Sequence, residues 1–270
     1  DTTRAPAPLP TAPNKPPKTP PKAHGPKPQR GTAGLSSAAT SPPPPAPAAP
    51  AATCARLAGA ANWSAAAQAC PREAAAGNAV AQRILGTMYD KGNGVAENPT
   101  EAAKWYRRAA TDAEAQFLLS RLDEIGRGTQ RDGAESVALL RVSAAGGYLL
   151  AQQTLAWRLA NGNGIHKDET EAAVWYRRAA DKGDVVSEVK LGELLEKGHG
   201  VDKDEAQALS WYRKAGDSGA GDGAWQASQM YFKGHGTAKS DSLGMIWLRK
   251  AAQLKQPDAV KELAKRTGDI

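Results

Sequence analysis

The chain has 270 residues, a net charge of +7 and no apolar run of 18 residues, which excludes a sequence-evident membrane-spanning helix. Residues 1–52 carry +5 of that charge, so the remainder holds only about +2, too little for a nucleic-acid footprint. Two cysteines and four histidines leave few ways to build a metal centre.

Sixteen of the 19 prolines lie in the first 50 residues, beside four Lys and two Arg against Asp1 alone. Such a segment cannot bury enough apolar surface to offset its ordering entropy. Residues 1–52 are therefore predicted to be a disordered Pro/Ala/Lys-rich linker. Polyproline II would let it reach on the order of 150 Å. It reads as a tether whose positive charge also suits cell-wall or other anionic polymer. Its composition resembles the Pro-Lys spacers of periplasm-crossing energy-transducing proteins. Membrane association is expected only through an anchor outside this sequence.

At Thr53 the composition changes. CARLAGAANWSAAAQAC predicts a short hairpin over 53–78 that covers the first full helical unit. Cys54 and Cys70 fall on its opposite arms, as a disulfide or as two buried thiols. A bridge would close a loop of about 15 residues, worth roughly 3 kcal/mol on chain entropy, and would imply an oxidising compartment.

Over about 79–256 one unit is written five times. Gly-x-Gly pairs begin at Gly92, Gly126, Gly162, Gly198 and Gly234, at steps of 34, 36, 36 and 36 residues. Trp105, Leu139, Trp175, Trp211 and Trp247 keep the same steps. A period in this range means stacked helical hairpins. Each unit opens with a helix whose small and apolar residues fall one turn apart, as at Ala151, Leu155 and Leu159. A glycine caps it. Asn98, Asp132, Asp168, Asp204 and Ser240 then start the second helix as N-caps, with Glu101, Glu135, Glu171 and Gln207 as capping-box partners. That helix is expected to bury its Trp and a small pair, Ala109–Ala110 or Ala179–Ala180. Residues 257–270 read as a capping helix that starts at Pro257.

These residues resemble the Sel-like repeat family, an α/α-hairpin relative of the tetratricopeptide repeat. Ala81, Leu85, Gly86, Tyr89, Gly92, Gly94, Val95, Ala102, Trp105, Tyr106, Ala109 and Ala110 match its pattern in one copy. The second copy departs, with Asp123 for the Tyr and Leu139–Leu140 for Trp-Tyr. The resemblance implies an all-α fold: a right-handed α/α-hairpin solenoid of about five repeats with terminal caps.

Recurring positions build the solenoid, so partner recognition is expected where repeats differ. Two variable positions lie one turn apart on each first helix. Along the stack the first is Arg83, Phe117, Gln153, Val189 and Trp225. The second is Thr87, Arg121, Trp157, Glu193 and Gln229. In related solenoids this face lines the concave groove, and Trp and Arg dominate binding hot spots. Trp157 and Arg121 are expected to form one such spot, whereas Phe117 and Trp225 have the alternative of plugging gaps in an eroded core. No catalytic motif, cofactor site or metal site is read. The expected function is a non-enzymatic scaffold, bacterial, periplasmic or secreted, that holds a peptide or protein partner in the groove during envelope assembly, secretion or polysaccharide export. A carbohydrate or cell-wall module, or the regulatory lobe of an envelope enzyme, is the alternative.

Overall fold

The computed structural model describes residues 53–268, and the expectations for residues 1–52 lie outside them. The described residues form thirteen helices and no strand. Helices α1 (Cys54–Gly59) and α2 (Trp63–Ala75) make the first hairpin. The first helices of the five repeats are α3 (Ala79–Lys91), α5 (Ala113–Ile125), α7 (Leu149–Asn161), α9 (Val185–Lys197) and α11 (Gly221–Lys233). The second helices are α4 (Pro99–Arg108), α6 (Gly133–Ala145), α8 (Glu169–Asp181), α10 (Glu205–Asp217) and α12 (Asp241–Gln253), and α13 (Pro257–Thr267) comes last. Each helix packs on those before and after it in the chain.

A disulfide joins Cys54 to Cys70, with a Cα–Cα separation of 4.6 Å and both residues fully buried. It anchors an apolar cluster with Ala66, Leu85 and Met88 at the start of the stack. A larger cluster runs unbroken from Phe117 to Ala259.

Glycine ends each first helix in the left-handed region, as Gly92 (φ 71°) and Gly198 (φ 71°) show. The expected N-caps all form: Asn98, Asp132, Asp168, Asp204 and Ser240 each accept from the backbone N–H three residues on. The reciprocal half of the capping box differs from expectation. The backbone N–H of Asp168 donates to the Leu159 carbonyl at 2.9 Å, and that of Asp204 to Leu195 at 2.9 Å. Closing the hairpin brings a first-helix carbonyl within reach, and the freed acids pair elsewhere, as Glu101 does with Lys104. Ala110 is a second correction. The first repeat is two residues shorter, α4 stops at Arg108, and Ala110 stays exposed while Ala179 and Ala180 are buried.

The second glycine of the loop has its own task. A Cβ on Gly200 would lie 2.2 Å from the Glu169 carbonyl carbon, at the start of the preceding repeat's second helix. Gly128 meets Pro99 in the same way, but nothing lies within 4 Å of that point at Gly164. Successive repeats thus touch backbone to backbone through this glycine, except where the third repeat meets the second.

Candidate functional site

The variable face of the first helices is laid out by the same periodicity. On α3, Arg83 is held in ion pairs with Asp112 (3.1 Å) and Glu114 (3.0 Å), and Thr87 accepts from the Tyr106 hydroxyl at 3.3 Å. Both line a shallow cavity with Trp63, Val80 and Ile84. On α5, Phe117 is only 8% exposed and lies 5.3 Å from the Tyr148 ring. It fills the core rather than the surface, because its repeat has Leu139 and Leu140 where larger aromatics stand elsewhere. Arg121 is exposed and opens onto a cavity with Tyr106, Leu118 and Ile125. Gln229 is half-buried on α11.

Trp157 is 47% exposed in a regular repeat. Its cavity is lined by Gln153, Thr154, Tyr176, Val186 and Lys190. Arg121 does not line it, so the expected Trp157–Arg121 pair is divided between two cavities. Trp157 has a different companion. Val186 and Lys190 also line the next cavity, of about 340 Å³, together with Val189, Glu193 and Trp225. The two spaces share those walls and lie side by side along α7, α9 and α11; together they make up a trough. Val189, at 9% exposure, is part of its wall rather than a projecting contact.

Charge within the trough is partly settled internally. The Lys190 ammonium lies 3.0 Å from both oxygens of Glu193. Burial, with Glu193 and Asp184 nearby, pushes the Tyr176 phenol up to about 12, so it stays neutral. Exposed Leu150 and Val186 add apolar surface that sequence reasoning passed over. The signal was present for Leu150, which sits two helical turns before Trp157 on the same face.

The second helices carry a repeated cation-over-indole stack. Arg108 lies 4.6 Å over Trp105, Arg178 4.5 Å over Trp175, Lys214 4.6 Å over Trp211 and Lys250 4.9 Å over Trp247. These cations occupy the Trp faces, so these rings belong to the scaffold. Ser187–Glu188–Val189–Lys190 has the spacing of a serine–lysine nucleophile pair, which sequence reasoning also passed over. Ser187 is fully buried, so its hydroxyl is not presented to a substrate, and Lys190 is bound to Glu193. Among the described residues no three His, Cys, Asp or Glu side chains are grouped to hold a metal ion.

The Sel1 repeat model matches residues 79–112, 113–148, 149–184, 185–219 and 221–255. A Sel1 repeat protein from Oxalobacter formigenes is 30% identical, with a TM-score of 0.71 over 78% of this chain and 88% of that one. The crystal structure of c5321, a protective antigen of uropathogenic Escherichia coli with the same repeat fold, is 31% identical, with a TM-score of 0.67 over 74% of this chain. The likeness spans only 43% of that antigen, so this chain matches less than half of its length. No curated protein matches the chain. Sel1 repeat proteins are generally protein–protein interaction scaffolds and typically non-enzymatic. Five matched units, the helical hairpins that carry them and these two structures place the chain in the Sel1 repeat family.

Proposed function

We propose that this chain is a non-enzymatic scaffold that holds an extended segment of a partner protein in the trough between Trp157 and Trp225. The observation that carries the reading is Trp157 itself. A large aromatic side chain stands 47% exposed in a well-packed repeat, over a cavity that shares Val186 and Lys190 with the next. Core packing does not need it there, and aromatic anchors flanked by polar groups carry most interface energy. The mixture of Gln153, Thr154, Lys190 and Glu193 along the rim suits a peptide, with its amides and mixed charge, better than a glycan. The Cys54–Cys70 disulfide favours an oxidising compartment, periplasmic or extracellular, for the encounter. In that setting the basic, Pro-rich residues 1–52 would serve as a tether with affinity for anionic cell-wall polymer.

The test is a peptide selection against the full chain, followed by titration of Trp157→Ala. The variant should melt within about 1 kcal/mol of the parent, because a half-exposed side chain carries little of the core. It should lose about 2 kcal/mol or more of affinity for the selected peptides. Unchanged affinity in a folded variant would overturn the proposal.

A further inference from the structure

The two ends of the trough differ in charge. At the Trp157 end the one charged residue of the lining is Lys190, already bound to Glu193, and Tyr176 and Val186 form the apolar wall. At the Trp225 end the lining adds Asp222, in the first turn of α11, and Asp258, in the first turn of α13. Lys190 and Glu193 neutralise each other at 3.0 Å, so Asp222 and Asp258 leave this end with an excess of two negative charges. Both aspartates are exposed, and among the described residues Asp222 has a hydrogen bond from the Gln256 amide alone, at 3.5 Å. The half-buried Trp225 ring lines the same cavity. The Trp rings of the second helices have a Lys or Arg of their own above them, whereas this indole stands beside carboxylates.

We infer that the cavity at Trp225 takes the Lys or Arg side chain of the partner segment, with an apolar residue of that segment seated against Trp157. The inference rests on the trough being the binding surface and adds its polarity. Charge complementarity selects the occupant: a cation gains the two carboxylates at its head, and its methylene stem lies along the indole and Val189. An acidic side chain would meet Asp222 and Asp258, and the one cation among the lining residues, Lys190, is bound to Glu193. Three neighbouring first helices lie about 20 Å apart from first to last, so an extended segment needs roughly six residues between anchor and cation.

The experiment uses the full chain and an array of capped dodecapeptides. Each carries one Phe and, four to eight residues away in either direction, Lys, Arg, norleucine or Glu. Lys and Arg peptides should bind about tenfold more tightly than the norleucine peptide at the best spacing, the sum of an exposed ion pair and a cation–π contact. Glu peptides should bind most weakly. The double variant Asp222→Asn/Asp258→Asn should cut the preference for Lys and Arg to the part carried by the Trp225 indole, about threefold, and leave norleucine binding unchanged. Trp157→Ala should weaken every peptide alike. Equal binding of Lys, norleucine and Glu peptides that still depends on Trp157 would overturn the cation pocket and leave the trough standing. Binding that ignores Trp157 as well as the two aspartates would overturn both readings.

Discussion

Repeats two and four are built on the same plan and solve it with opposite chemistry. In repeat four Leu195, Val201 and Ala208 meet at the hairpin base and join the continuous core. The same three positions of repeat two hold Asp123, Thr129 and Ser136. Asp123 is 2% exposed and Ser136 1%. Both Asp123 oxygens and the hydroxyls of Thr129 and Ser136 are buried without a hydrogen-bond partner. The nearest charge is Arg107 of the preceding repeat, 3.6 Å from Asp123. Repeat two also lacks the glycine contact from its successor, since nothing approaches Gly164. A period can therefore be kept by the backbone caps while the packing it normally carries is weakened.

Repeat four has its own departure: both Glu188 oxygens are buried without a hydrogen bond, but the donor they displace is replaced. In repeats one and three a buried glutamine donates to the end of the preceding second helix, Gln82 to the Ala74 carbonyl and Gln152 to Ala144, each at 3.0 Å. Glu188 holds that position in repeat four and, as a carboxylate, cannot donate. Lys214 replaces the donor. Its ammonium gives a hydrogen bond to the Ala180 carbonyl at 3.1 Å and lies 2.9 Å from Glu188, though off the hydrogen-bond direction.

The sharpest way to break the comparison is a pair of glycine substitutions. Gly200→Ala forces a methyl group into the Glu169 backbone at a left-handed φ of 69°. It should cost about 4 kcal/mol, overpacking added to backbone strain. Gly164→Ala has the same φ and open space, and should cost about 1.5 kcal/mol. Equal losses in urea melts would remove the interlocking role of this glycine.

Lys214→Met comes next. Glu188 is fully buried, so stranding its charge should cost about 3 kcal/mol. Adding Glu188→Gln should recover most of it, because the amide can donate to Ala180 as Gln152 does to Ala144. A loss under 1 kcal/mol for the single variant would mean that Lys214 is not the compensating donor.

Giving repeat two the chemistry of repeat four is expected to stabilise it. Asp123→Leu/Thr129→Val/Ser136→Ala removes four buried oxygens that lack a hydrogen bond, at the loss of the Arg107 ion pair, and should add about 2 kcal/mol. Amide exchange in α5 and α6 should slow. A destabilised triple variant would show that the Arg107–Asp123 pair outweighs the cost of the buried oxygens.

The smallest effect concerns the pair that ties repeat two to repeat three. Arg141 binds Glu171 through both guanidinium arms, one of them at 3.0 Å. That contact, with a further hydrogen bond from the Trp175 indole, holds the Glu171 carboxyl below the usual carboxylate range. A depressed folded value contributes stability that is present above the unfolded value, near 4.3, and is lost as pH falls through the folded one. Arg141→Leu should flatten this part of the acid limb and cost about 0.5 kcal/mol at neutral pH, since both groups are partly exposed. An identical acid profile would assign the slope to other carboxylates.

The sequence by itself determined the repeat, its phase and its local chemistry. Gly-x-Gly at a fixed step, Asp or Asn at the N-caps and paired cysteines on two short arms act over a few residues, so they can be read without knowing the neighbours. Tertiary structure decided what depends on the angle and distance between repeats. Phe117 turned inward against Tyr148, in the repeat where Leu139 and Leu140 replace larger aromatics, and Trp157 stayed out. Arg121 and Trp157 went to separate cavities, while Val186 and Lys190 joined those of Trp157 and Trp225. The capping-box acids lost their expected partners once a first-helix carbonyl closed on the cap N–H. The physical reason is one of range. Helix caps and turns are fixed by bonds within a turn of chain, whereas exposure and pairing on a helix face are fixed by the next hairpin, some 36 residues further along.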